Sequence, residues 1–304
     1  MRKMKNLIKI ILAIFCMQKI TAQQPLAKNS SLDSPKLLLY NCLIPRAVIT
    51  DNKDIIFVAT GWTPQAPLIA GCIDSSGNLL WNNISLCSFP NDLDLNGNVF
   101  ILPSSDGGAY FIFEYLEYKG YNDSTEYIEY SASHPHIQYI DAAGNVKWGA
   151  VGKRLSNIEV NFQGGADIMQ ACYAPDGNII VYWDWFNDHH TDGVKNEYGT
   201  FVQKINPSNG ELKFGERGRQ LFNLSASPIK QGLNGNIYVL NIGDSVACFN
   251  AWAEKQWQLP LLTGIKNSCL TGTNEFGELL ILYGTNNDIR ASLYDENGSP
   301  ILIR

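Results

Sequence analysis

Two short patterns of polar and apolar positions alternate along this chain. In the first, an apolar residue is followed by Asp or Asn, a short turn and a Gly, with a large apolar residue four positions beyond the Gly. It reads Ile73-Asp74-Ser75-Ser76-Gly77-Asn78 leading to Trp81, and again Ile140-Asp141-Ala142-Ala143-Gly144-Asn145 leading to Trp148. A copy one residue longer runs Ile205-Asn206-Pro207-Ser208-Asn209-Gly210 to Phe214. Degenerate copies run Phe249-Asn250-Ala251-Trp252-Ala253 to Trp257, and Tyr294-Asp295-Glu296-Asn297-Gly298 to Leu302. In the second pattern a turn opens four mainly apolar residues. Asp106-Gly107-Gly108 precedes Ala109 to Ile112, Asp176-Gly177-Asn178 precedes Ile179 to Tyr182, and Asn234-Gly235-Asn236 precedes Ile237 to Leu240. Phe276-Gly277-Glu278 precedes Leu279 to Leu282, and a Gly-less copy, Asn52-Lys53-Asp54, precedes Ile55 to Val58.

Asp-Gly and Asn-Gly accept the positive φ angles of tight hairpin turns, and β-branched and aromatic residues suit the flanking strands. Strict alternation of the two patterns therefore predicts paired hairpins, one four-stranded sheet per cycle. Five cycles fit, over residues 45–86, 92–153, 166–216, 226–262 and 267–304. The predicted fold is all-β, a β-propeller of five four-stranded blades. A propeller that ends part-way round, or an open two-sheet sandwich or stacked array, stays open at this point. Each sheet would bury one face on the next, with Trp81, Trp148, Phe214 and Trp257 packing between blades. A strand over Lys36 to Leu43 beside Ile301 to Arg304 would tie a ring shut. The domain plan is thus residues 1–22, an N-terminal segment 23–44, and a propeller domain 45–304.

The turns "IDSSGNLLW", "SSDGGAYFIF", "IDAAGNVKWG", "APDGNIIVYW", "INPSNGELKFG" and "GLNGNIYVL" resemble the β-propeller repeats of secreted bacterial proteins, among them the PQQ-like and SBBP-type repeat families. The PQQ-like turn reads D-x-x-T-G-x-x-x-W; here Asn206 replaces the Asp and Asn209 the Thr. A quinone site of that family needs a vicinal Cys pair and a metal-binding acid set, and neither is present. No cofactor is expected.

The first residues add a compartment. Arg2, Lys3 and Lys5 precede an apolar run from Ile10 to Met17, and Ile20-Thr21-Ala22 closes it, which reads as a secretory signal peptide cleaved after Ala22. An uncleaved anchor, or lipid attachment at Cys16, is the alternative. The run is shorter than the roughly 20 residues that cross a bilayer as a helix, so no membrane span is expected. The mature chain would be secreted, periplasmic or held at the cell surface.

Charge and cysteines narrow the partners. A net charge of -6 offers no basic field for phosphates, so nucleic acid is not expected. Cys72 and Cys248 fall at one strand position of different cycles, and Cys172 and Cys269 are read likewise on another strand. Small apolar residues at repeat positions read as buried free thiols, with a Cys42–Cys87 bridge as the alternative.

In a propeller of this kind both Gly turns of a blade lie on one face, and the loops between second and third strands lie on the other. Those opposite loops are long in blades 2 and 3. One insertion runs from Glu117 to His136 with Tyr118, Tyr121, Tyr127, Tyr130, His134 and His136. The other runs from Trp183 to Asp192 with Trp185, Phe186, Asp188, His189 and His190; blade 1 offers Trp62. Loops on rigid scaffolds carry function, and exposed aromatics stack on sugars or grip peptides. The expectation is a monomeric, non-catalytic binding or scaffold module that contacts a glycan, peptide or cell-surface partner there, or a purely structural ring.

Other chemistry is thinner. Asp188, His189, His190 and Asp192 are metal-donor types, but adjacent residues rarely converge on one ion, and no metal is assigned. Asp92-Leu93-Asp94-Leu95-Asn96-Gly97 opens like a calcium loop, then places Phe100 and Pro103 where donors belong. A glycoside hydrolase or lyase in the central channel is the alternative function. Its candidate carboxylates are Asp92, Asp94 and Asp167, with Arg46, Ser227 and Asn267 at the corresponding places in other blades.

Overall fold

The computed structural model describes residues 42–61, 68–87, 99–122, 127–158, 164–187, 199–223, 226–232, 235–241, 245–260, 267–273, 277–284 and 289–303. Among them the chain is all-β and forms five four-stranded antiparallel sheets, each from four strands consecutive in sequence. The first holds β1 (Cys42–Ile49), β2 (Ile55–Gly61), β3 (Leu68–Ile73) and β4 (Leu79–Ser85). The second holds β5 (Phe100–Pro103), β6 (Ala109–Asn122), β7 (Tyr127–Ile140) and β8 (Lys153–Arg154). The third holds β9 (Gly164–Tyr173), β10 (Ile179–Asn187), β11 (Gly199–Ile205) and β12 (Arg219–Phe222). In the fourth are β13 (Ala226–Gln231), β14 (Ile237–Asn241), β15 (Ser245–Phe249) and β16 (Lys255–Pro260), and in the fifth β17 (Asn267–Thr273), β18 (Leu279–Gly284), β19 (Ile289–Tyr294) and β20 (Pro300–Ile303). Cys42 and Leu43, expected in a strand beside the chain end, instead pair with Gly61 and Thr60 inside the first sheet.

The chain divides into two compact units, Met1–Phe111 with Gln138–Gly152, and Ile112–Ile137 with Lys153–Arg304. In the second unit the sheets bury both faces. Ile237, Val239, Ala247 and Phe249 of the fourth sheet pack on Ile180, Tyr182, Val202 and Phe214 of the third. The intervening residues Tyr238, Leu240, Val246 and Cys248 face the other way, onto Leu279, Ile281 and Tyr294 of the fifth. Strand alternation puts successive side chains on opposite faces, so the continuous apolar runs read from the sequence are what a doubly covered sheet requires.

The turns predicted from the sequence form as expected. Asp74 Oδ1 accepts from the backbone N–H of Ser76 and Asn78 at 2.8 Å each, and Asp141, Asn250 and Asp295 repeat the arrangement. Two of the outer aromatics then tie one sheet to the next. The Trp81 indole donates to the Ala142 carbonyl at 3.1 Å and the Trp257 indole to the Glu296 carbonyl at 2.8 Å, the same turn position in two repeats. Each ring lies over the turn glycine: a Cβ on Gly144 would sit 2.9 Å from Trp81, and one on Gly298 2.9 Å from Trp257. Both glycines have φ near +80°, so the turn and the ring each require the missing side chain.

The outer strands of the second and third sheets depart from the expected pattern. Trp148 and Phe214 do not lie in β8 and β12; those strands begin later, after a Gly-x-x-Gly in which Gly149, Gly152, Gly215 and Gly218 all have positive φ. A buried glutamine causes the break. Gln203 Oε1 accepts from the N–H of Lys204 and Phe214 at 3.0 Å, while Nε2 donates to the carbonyls of Gly215 at 2.7 Å and Leu155 at 3.1 Å. Gln138 repeats this with Tyr139, Trp148, Gly149 and Leu86. In the first and fourth sheets the equivalent residues are Gly71 and Ala247, and there the aromatics Trp81 and Trp257 sit inside continuous outer strands. Gly71 cannot carry even a methyl group, since its Cβ would meet the Phe57 ring at 2.2 Å.

Cys72, Cys87, Cys172 and Cys248 are free thiols, so the alternative Cys42–Cys87 bridge is not formed, and burial pushes each thiol up to about 12. Cys72 and Cys248 share a register, facing Trp81 and Trp257. Cys172 and Cys269 do not: Cys172 pairs with Ile180, the second residue of β10, whereas Cys269 pairs with Leu282, the fourth of β18, so Gly272 is the counterpart of Cys172. Replacing Gln203 with Leu leaves two carbonyls and two N–H groups without that partner in a fully buried site. The substitution is expected to lower stability by about 3 kcal/mol, read from urea denaturation.

Candidate functional site

The residues singled out from the sequence fall into three groups. Trp62, Asp188, His189 and His190 lie outside the described residues, as do Asp92 and Asp94. Tyr118 and Tyr121 lie on β6, Tyr127 on β7 and Phe186 on β10, where the backbone is described. His134, His136 and Trp185 are described in full, and they are buried, at 1%, 5% and 1% exposure, instead of standing out on loops.

The correction has a physical basis. The segment read as an insertion loop from Glu117 to His136 is mostly strand, because β6 and β7 each continue for 14 residues. His134 and His136 therefore sit on paired backbone at the root of a long ribbon. Trp183 and Trp185 likewise belong to β10, with Trp183 paired to Phe201 and Asp184 to Thr200.

The root is an aromatic–histidine cluster. The His136 ring lies 5.0 Å from Tyr115, 6.1 Å from Phe113 and 6.5 Å from His134, centroid to centroid. His136 is the Cα partner of Arg154 in β8, and Arg154 Nε donates to the Ser156 carbonyl at 2.6 Å. From there the chain crosses to the third sheet: Ser156 Oγ donates to the Arg217 carbonyl at 3.0 Å, and the Asn157 N–H to the Glu216 carbonyl at 2.8 Å. Burial, then the Arg154 charge, push the His134 imidazole down to about 4, opposed by a backbone hydrogen bond at Ile158. His134 is thus neutral at physiological pH, beside a guanidinium.

Two carboxylates that the sequence reading passed over are also buried in these sheets. Phe113-Glu114-Tyr115 in β6 and Trp183-Asp184-Trp185 in β10 occupy the same positions of two repeats, four to six residues after Ala109 and Ile179. Glu114 and Asp184 are buried at 5% and 6% exposure. Asp184 Oδ1 accepts from the Thr200 hydroxyl at 3.0 Å. Across the sheet its Cα partner is Asp167 of β9, the channel-side acid noted from the sequence. The signal was available: an acid flanked by aromatics, twice, at one offset from the turn.

In chemical terms the cluster offers a neutral imidazole able to take a proton and a guanidinium that suits a carboxylate. Among the described residues no group of three or more His, Cys, Asp or Glu is arranged to hold a metal ion, and no helix is long and apolar enough to cross a membrane.

No protein-family model matches the chain, and no curated protein matches it in sequence. The solved structures similar to it include propeller-like folds. One is prolyl oligopeptidase B from Galerina marginata, bound to a 25mer macrocyclization substrate: 13% identity, TM-score 0.47, covering 86% of this chain and 35% of that one. Another is a PL25 polysaccharide lyase, an ulvan lyase, with 10% identity and TM-score 0.44 over 86% of this chain and 66% of that one. A third is BamB from Moraxella catarrhalis, with 13% identity and TM-score 0.36 over 85% and 62%. The chain thus spans about a third of the oligopeptidase and under two thirds of the other two. A lyase and an oligopeptidase stand among these neighbours, against the expectation that the chain is not an enzyme.

Protonating His134 should loosen the root of the ribbon. The folded chain binds this proton more weakly than the unfolded chain, so the contribution is complete above pH 6.5 and is lost as pH falls toward about 4. The loss expected across that window is about 3 kcal/mol. Chemical denaturation across it should show the slope, and His134→Gln should flatten it.

Proposed function

We propose that this chain is an exported five-bladed β-propeller, carrying repeats of the PQQ-like and SBBP type, that binds an extended glycan beside its second and third blades. The observation that carries the reading is the ribbon formed by β6 and β7. It runs well past the five to seven residues typical of the other second and third strands, and Tyr118, Tyr121 and Tyr127 lie along its extension. Its root is wedged by buried rings, so tyrosines on the extension would be held on a firm base, and aromatic side chains stack on sugars at low entropic cost. Trp185 and the buried histidines serve here as supports. Export follows from the signal peptide over residues 1–22, and the net charge of -6 leaves nucleic acid out of the partner list.

A second reading, cleavage of a uronate-containing glycan by β-elimination, is favoured by one observation: a neutral imidazole at His134 beside the Arg154 guanidinium. A guanidinium can neutralise the uronate carboxylate while a base takes the proton beside it. Both groups are buried, so this reading requires the ribbon to open.

A glycan array probed with residues 23–304, with and without chelator, tests the first reading. A specific hit lost in Tyr118→Ala and Tyr121→Ala chains of unchanged circular dichroism supports it, and a blank array with folded protein removes it. The second reading predicts ultraviolet absorbance from an unsaturated uronate when the chain is incubated with polyuronates, lost in His134→Gln. Binding without that absorbance leaves the first reading alone.

A further inference from the structure

We propose that Tyr139 of the second sheet, with Asp106, Tyr110 and Trp148, forms a one-electron donor site, in which the phenol gives an electron to a small oxidant while its proton passes to a fixed carboxylate. The inference rests on neither glycan reading. The Tyr139 O–H donates to Asp106 Oδ2, and that carboxylate is held in place because its Oδ1 accepts from the Gly108 N–H at 3.0 Å. Gly108 makes room for the ring: a Cβ there would lie 3.0 Å from the Tyr139 ring and 2.4 Å from the Ile140 carbonyl oxygen. Tyr110 stacks on Tyr139, with centroids 4.5 Å apart and planes 20° apart. The Trp148 ring lies 5.4 Å from Tyr110 and 6.0 Å from Tyr139.

Packing does not require this set. The same three positions hold Ile56, Cys72 and Trp81 in the first sheet, and Ile180, Lys204 and Phe214 in the third. In the fourth they hold Tyr238, Cys248 and Trp257, and in the fifth three leucines, Leu280, Leu293 and Leu302. Two phenols and an indole meet only in the second sheet. Tying the strand to its turn does not require them either, since Lys204 reaches Asp176 from the equivalent position with no ring. The fourth sheet supplies the contrast. Tyr238 lies 5.9 Å from Trp257, but its O–H donates to the Gly277 carbonyl at 2.8 Å, and a backbone carbonyl is too weak a base to keep a proton.

A phenol that loses an electron becomes a strong acid, so its oxidation is easy only where a base is ready to take the proton. Burial, then the Asp106 bond, raise the Tyr139 phenol above its ordinary range, so it stays protonated at rest. Burial pushes the Asp106 carboxyl up, but the bonds from Tyr139 and Gly108 outweigh it and keep the group ionised. In the step, an oxidant of the nitrogen dioxide radical class takes one electron and leaves as nitrite. The Tyr139 O–H bond breaks, the proton moves to Asp106 Oδ2, and a neutral phenoxyl radical remains. A thiolate reductant then returns the electron and Asp106 returns the proton. The stacked Tyr110 and the Trp148 indole are the rings over which the electron vacancy spreads. Asp106 is exposed, and Tyr139 and Trp148 are half-buried, so a small oxidant reaches the group without any opening.

The test oxidises the intact mature chain with ruthenium tris-bipyridine, driven to its trivalent state by a laser flash with a cobalt(III) ammine as electron acceptor. Electron paramagnetic resonance is expected to show a tyrosyl radical that forms more slowly in deuterium oxide, a readout that needs no variant. The signal should be lost in Tyr139→Phe and kept in Tyr238→Phe. Asp106→Asn still accepts a hydrogen bond but is no base, and it should slow radical formation by about a hundredfold, the scale of positioned proton transfer. A tyrosyl signal that survives Tyr139→Phe, an indole radical alone, or an unchanged rate in Asp106→Asn overturns the proposal. The Tyr139–Asp106 pair is then a tie between strand and turn, like Lys204 and Asp176. Either result leaves the ribbon reading standing, because that reading is scored on Tyr118 and Tyr121.

Discussion

The packing depends on side chains reaching from one sheet into the turn backbone of the next. Apolar faces alone would let two twisted sheets slide by a residue, since a row of Ile and Val has no preferred partner. The indole N–H of Trp81 has one acceptor, the Ala142 carbonyl, and Trp257 has its counterpart at Glu296. Each ring also needs the bare Cα of Gly144 or Gly298 beneath it. A hydrogen bond and a steric requirement thus meet at one residue, and the relative register of the paired sheets follows from both. Where the outer aromatic is Phe214, with no donor, the third sheet is tied to the fourth through Lys204 and Arg219 instead.

How much of this was legible in the sequence depends on where the deciding group sits. The turns were, because Asp74, Asp141, Asn250 and Asp295 act on backbone within four residues, and local chemistry leaves a local pattern. The sheets followed from the alternation of the turns. The outer strands of the second and third sheets were not legible as strands, because a glutamine 10 to 12 residues upstream replaces the backbone partner of Trp148 and Phe214. Even so, Trp148-Gly149-x-x-Gly152 and Phe214-Gly215-x-x-Gly218 recur as a pair, and a reading that compared the two repeats with each other would have found them.

The candidate site was misread for the opposite reason. Histidines and tyrosines in a stretch longer than its counterparts look like a loop, and tyrosines recurring every three residues hide the strand period. The strands β6 and β7 nevertheless run through it, and His134 and His136 fall where the hairpin is still rooted between other groups. Glu114 and Asp184 escaped notice because each is a single acid inside an apolar strand. Their equivalence shows only when both repeats are aligned on Ala109 and Ile179.

Those departures gather in two sheets that follow one another. Where the first and fourth sheets carry Gly71-Cys72 and Ala247-Cys248, the second and third carry Gln138-Tyr139 and Gln203-Lys204, and the latter pairs reach Asp106 and Asp176. Stacking by itself asks for none of this, since the apolar versions pack as closely with fewer polar groups to satisfy. A buried Lys204, a buried Asp184 and a neutral His134 all lower the ease of folding relative to apolar residues of like size. They are tolerated because each has a partner within reach: Asp176, Thr200, and the backbone at Ile158. Among the described residues the buried charged and imidazole groups, Glu114, His134, His136, Asp184 and Lys204, all lie in these two sheets, which also carry the longest hairpin strands, so the polar burial that the repeat does not need goes with the departure from it.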